Sequence, residues 1–182
     1  FVVNTVSITV TSSPVTGGGF IKVDGVSYAT PVTFTWVIGS THVLEAVSTV
    51  SGPAGTRYVW TGWSDGGDQI HVYTVPSTPE NVTAYFTTKY YLNVVSPYGT
   101  IGGEGWYDEG STAYATLEAG SVVENGVQYM FTGWSGDASG TGLVSNPIIM
   151  NGPKTAIANW MAGVYTVTFD KSPRQGVITI DG

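Results

Sequence analysis

Tyr58-Val59-Trp60-Thr61-Gly62-Trp63-Ser64-Asp65-Gly66 and, further on, Tyr129-Met130-Phe131-Thr132-Gly133-Trp134-Ser135-Gly136-Asp137 are one phrase written twice. A Gly-Ser-Thr stands upstream of each at a fixed distance: Gly39 precedes Tyr58, and Gly110 precedes Tyr129, by 19 positions. Two landmarks kept in step predict a duplicated unit of roughly 75 to 85 residues, large enough to bury a modest core of its own.

Composition says what kind of unit this is. Only 10% of the 182 residues are charged while 13% are aromatic, and Gly, Ser and Thr are abundant. That mixture predicts many short strands joined by tight turns and almost no helix. The net charge of -7, with six Lys plus Arg scattered along the chain, leaves no basic stripe for phosphates, so nucleic acid is not an expected partner. No apolar run approaches the roughly 18 residues of a membrane span, and Phe1-Val2-Val3-Asn4 lacks the layout of a signal peptide, so no membrane insertion is expected. With no cysteine there are no disulfides and no thiolate metal sites. Low charge, many hydroxyls and repeated modules together point to the cell exterior.

The first unit opens on a strict alternation, Val6, Ile8 and Val10 against Ser7, Thr9 and Thr11, which predicts a half-buried strand. Phe20 to Val23 resumes extended structure before Asp24-Gly25, a type I′ hairpin signal. Further strands are predicted over 32–37, 42–47, 58–63, 70–74 and 82–86. The second unit follows with 91–95, 105–107, 113–117, 127–134, 147–150 and 155–160. It lacks the stretch from Val26 to Ile38, which reads as one extra hairpin arm of the first unit. The expectation is an all-β chain of two tandem small antiparallel β-sandwich (Ig-like) repeat modules, over 1–88 and 89–162, plus a C-terminal partial repeat over 163–182.

That last piece repeats the opening. Tyr165, Val167 and Phe169, then Ser172-Pro173, superpose on Val6 to Val10 and Ser13-Pro14 at a constant shift of 159, and Val177 to Gly182 match Phe20 to Gly25 at 157. The tail therefore reads as the start of a third copy. Its strands, with Val177, Ile178 and Ile180 on the second, and the opening strand with Val2, Val6, Ile8 and Val10, are the candidate assembly strands, since an unpaired edge recruits another strand. Two readings stand side by side: a donor tail that builds a head-to-tail homopolymer, and a segment of a longer array whose neighbouring repeats continue it.

The run from Tyr129 to Asp137, followed by Asn146-Pro147, Met150 and Lys154-Thr155-Ala156-Ile157-Ala158-Asn159-Trp160, resembles the divergent internalin-type B-repeat of prokaryotic surface proteins. The first unit keeps the same centre and closes more loosely at Val82 to Phe86; its Asp24-Gly25, Tyr28, Thr30-Pro31 and Gly39 resemble the short PEGA module. These resemblances imply extracellular all-β modules of stalks, adhesins or surface arrays, with no active site to carry over.

Candidate sites are weighed against that background. Trp63 and Trp134 each follow a glycine and are expected as core aromatics; the other reading is a glycan-stacking platform joined by Trp106, Tyr107 or Tyr98. The loops with Asp65, Gly66, Gly67 and Asp68, and with Asp137, Ser139 and Gly140, offer oxygens for calcium, yet turn chemistry accounts for them equally and they lack the ligand spacing of an EF-hand. His42 and His71 have no third ligand beside them, so no metal is expected. Glu104, Asp108 and Glu109 supply the paired carboxylates of glycoside hydrolysis but sit on a Gly-rich turn. No catalytic residue is assigned, no cofactor is expected, and the chain is not read as an enzyme. Asn81-Val82-Thr83 is a glycosylation sequon. The functional expectation is a non-catalytic structural protein of a cell-surface filament, pilus-like fibre, array or stalk, assembling by donor-strand complementation. The alternatives are a carbohydrate-binding or adhesion module and an accessory domain of a large secreted enzyme.

Overall fold

The computed structural model describes residues 2–163, and over them the chain is all-β with no helix. The first half supplies β1 (Thr5–Ser13), β2 (Ile21–Val23), β3 (Val26–Tyr28), β4 (Val32–Val37), β5 (Thr41–Ala46), β6 (Thr49–Ser51), β7 (Thr56–Trp63) and β8 (Ile70–Thr74). Then comes β9 (Glu80–Val95), a strand of 16 residues. The second half adds β10 (Ile101–Gly102), β11 (Gly105–Asp108), β12 (Thr112–Ala113), β13 (Thr116–Leu117), β14 (Ser121–Glu124), β15 (Val127–Gly136), β16 (Ile148–Ile149) and β17 (Lys154–Ala162).

β9 organises the molecule. The two strands expected over 82–86 and 91–95 are one, because Thr87-Thr88-Lys89 contains no residue that breaks an extended chain. Over its first half β9 pairs with β1 on one side and β7 on the other, and over its second half with β11 and β17. The strand order β4-β1-β9-β7-β6 is therefore matched by β11-β9-β17-β15-β14, with β9 common to both. β1 and β9 run parallel, as do β9 and β17, so the long sheet is mixed rather than purely antiparallel. A parallel neighbour needs a long crossover, and β2 to β8 provide it.

The crossover builds the facing layer, a four-stranded sheet of order β3-β2-β5-β8. Alternation along each strand sends Val6, Ile8, Val10, Val82, Ala84 and Phe86 from the long sheet, and Ile21, Val23, Leu44 and Ala46 from the short one, into a single buried cluster. The second half buries Leu92, Val94, Ala156 and Ala158 from the long sheet against Ala113, Ala115, Leu117, Ile148 and Met150. Its facing layer is thinner, made of the pairs β10-β13 and β12-β16. The strand expected over 113–117 is split between these pairs, although the inward alternation of Ala113, Ala115 and Leu117 is kept.

Two details refine the expected elements. Val26 to Ile38 is no single hairpin arm: β3 joins β2 in the short sheet, while β4 crosses to β1 in the long one. The Asp24-Gly25 turn forms as expected, with φ of 49° and 80°, and Asn125-Gly126 makes the same turn between β14 and β15 at 50° and 78°.

Candidate functional site

The Gly-Trp phrase lies at the end of β7 and near the end of β15. Opposite each, the register slips once, between Trp60 and Gly62 on β9 and between Phe131 and Gly133 on β17, and the bulge turns the following indole inward. Trp63 is 5% exposed and Trp134 6%. Each indole N-H finds a carbonyl: Trp63 Nε1 donates to Gln69 O at 3.3 Å, and Trp134 Nε1 to Gly142 O at 3.0 Å. Neither ring offers a face to a sugar. Trp106 is covered by the Arg57 guanidinium 4.4 Å above its centroid, and Tyr98 stacks on Tyr129 at 4.0 Å.

The assembly strands divide. Val6, Ile8 and Val10 are core residues of β1, which pairs with β4 over Thr5–Val10 and with β9 over Ile8–Ser13. Val2 is 90% exposed ahead of it. Tyr165, Val167, Phe169, Val177, Ile178 and Ile180 lie outside the described residues. Asn81 is exposed at the start of β9, opposite Thr9.

A concave feature of the described chain lies where β7 turns into β8. It is a cleft of about 520 Å³ lined by Asp65 to Asp68, by His71, Val72, Tyr73 and Thr74 of β8, and by Glu80. Local chemistry builds it. Asp65 Oδ1 accepts the Gly67 N-H at 3.1 Å, closing an Asx turn. The other oxygen lies 2.8 Å from His71 Nε2, while Nδ1 of the same ring lies 2.9 Å from the Asp68 carbonyl oxygen. The turn hugs the imidazole so closely that a Cβ on Gly67 would stand 2.5 Å from the ring. On the next inward position of β8, Tyr73 donates from Oη to Glu80 at 3.1 Å; burial, and then this hydrogen bond, push its hydroxyl well above the usual tyrosine range. Tyr73 therefore remains a neutral donor.

The other acidic positions are taken up by the fold. Asp137 accepts the Thr155 N-H at 2.8 Å and pairs with Lys154 at 3.3 Å, and the backbone bond first and the lysine second hold its carboxyl below the usual range. Asp24 is held down by His42 at 2.7 Å and then by the Val43 N-H at 2.8 Å. The cluster of Glu104, Asp108 and Glu109 is taken apart: Tyr91 donates to Glu104, Lys89 pairs with Asp108 at 2.7 Å, and Tyr90 donates to Glu109. Among the described residues no three His, Asp or Glu side chains converge on a metal position, and no helix is long and apolar enough to cross a membrane.

Alternation over Ile70 to Thr74 places His71 and Tyr73 on one face, and that much is legible in the sequence. Nothing in the spacing joins Glu80 to them, because it arrives from the next strand. Compared with family models, with curated proteins and with solved structures, the chain matches none.

Proposed function

We infer that this chain is a non-catalytic, extracellular structural protein: two tandem β-sandwich modules forming a subunit or segment of a prokaryotic cell-surface filament, array or stalk. The observation that carries the reading is β9. A strand of 16 residues spans about 50 Å at the usual rise, and it belongs to both cores, giving Val82, Ala84 and Phe86 to one and Leu92 and Val94 to the other. Tension on one module passes to the next through backbone hydrogen bonds of a continuous sheet, with no flexible linker between them. The resemblance to surface-protein repeats supports the same reading, and so does the inward placement of Trp63 and Trp134, which serves architecture rather than sugar contact.

Assembly proceeds by strand addition between neighbours, backbone pairing supplying continuity and apolar alternation supplying register. Sedimentation velocity of the intact chain across a concentration series tests this. Species that grow with concentration are the expected result. A single monomer boundary throughout, with tryptophan fluorescence that shifts on adding a polysaccharide, would favour a carbohydrate-binding module instead.

A further inference from the structure

We propose that the free edge of β8 is the acceptor for strand addition, and that its occupant is the segment from Tyr165 to Arg174 of a second copy, docked antiparallel. The proposal rests on the assembly reading above and names its site. Among the described residues β8 is the last strand of the short sheet, paired with β5 alone, so one side of its backbone offers N-H and C=O groups that no described strand takes up. Residues of both its faces, His71 and Tyr73 as well as Val72 and Thr74, line the cleft, so it is the strand's edge that looks into it. On the outward face Ile70 is 59% and Val72 65% exposed, two large apolar side chains at the rim of the sheet.

Charge identifies the occupant. Asp65, Asp68 and Glu80 line the cleft with no Lys or Arg among the lining residues. The whole chain has only six Lys plus Arg. Lys22, Lys89 and Lys154 are in ion pairs with Glu45, Asp108 and Asp137, and Arg57 lies on Trp106. Lys171 and Arg174 follow the alternating run Tyr165, Val167, Phe169 in the sequence, against one carboxylate, Asp170, and give that segment a net positive charge.

Direction and register follow from the order of residues. Acidic Asp65 and Asp68 precede β8, and basic Lys171 and Arg174 follow the donor run, so only an antiparallel pairing brings the charges together. Setting Val167 opposite Val72 places Phe169 opposite Ile70, extending the apolar row. The same register carries Lys171 beyond the end of β8, toward the turn that holds Asp65 and Asp68. A slip of one residue would instead set Thr166 or Thr168 beside Val72.

Because the chain contains no cysteine, single-cysteine variants of the full chain give a clean test. V72C mixed with V167C is expected to yield an intermolecular disulfide, and V37C on the free side of β4 mixed with V167C is not. Reversing one charge with K171E is expected to weaken self-association about tenfold, and adding D68K to restore it. If the chain self-associates while V167C couples to V37C as readily as to V72C, or if K171E has no effect, the acceptor assignment is wrong and the assembly reading stands. A chain that stays monomeric overturns both.

Discussion

Trp63 shows how one position fixes a corner of the fold. Its indole is placed by a bulge, closed over by the core and tied to Gln69. Truncating a buried aromatic leaves a cavity as well as losing transfer free energy, so Trp63→Ala is expected to cost about 3–5 kcal/mol. Trp106→Ala, on the half-exposed outer face, is expected to cost far less; urea denaturation of the two variants measures the difference. A second residue-scale expectation concerns acid. The carboxyls of Asp24 and Asp137 are held below their ordinary value of 3.8, so each favours the folded state when ionised. That contribution is fully present above the unfolded value and is lost as pH falls through the lower folded one. Stability is therefore expected to decline below about pH 4, and Asp137→Asn to flatten part of the decline in a pH series of melts. Both carboxylates are solvent-accessible, so the effect is modest.

At the scale of elements, strict alternation was the readable signal. β4 and β8 have the bounds that the pattern of apolar residues predicts, and β1 extends a few residues beyond its pattern. Legibility failed where pairing decides. The alternation of Ala113, Ala115 and Leu117 marks their inward face but not that two different partners would split the strand. Asn125-Gly126 is a plain hairpin signal that a frame built on the Gly-Trp phrase passes over. The repeat period alone does not show that β9 runs on through Thr87-Thr88-Lys89, where no turn residue stands. The cleft was half legible: His71 and Tyr73 share a face by period, whereas Glu80 meets them only because β9 begins beside β8. The continuity of β9 has a measurable consequence. Thr88 is buried in the strand, level with Tyr58 of β7, and its carbonyl accepts the Glu109 N-H; proline there locks φ away from the extended range and puts a ring into a strand paired on both sides. Wild-type protein is expected to melt in one cooperative transition and Thr88→Pro in two, by scanning calorimetry. A single transition in the variant at an unchanged temperature would show that the halves do not depend on β9.

At the scale of the molecule, economy of charge is the feature that ties architecture to the inferred role. The chain carries a net charge of -7, and its described cations are all in use within the fold. Such a surface discourages indiscriminate association, which suits the inferred assembly through one strand edge whose register and charges together select the partner. One mixed sheet whose long strand β9 serves both cores forms a body suited to transmit force along its length, which is what a stalk or filament requires of each segment. Electron microscopy of the purified 182-residue chain at increasing concentration addresses that role most directly. Ordered fibres of uniform width, built from end-to-end copies, are the expected result. Fields of isolated particles at every concentration, with no lateral or axial order, would contradict it.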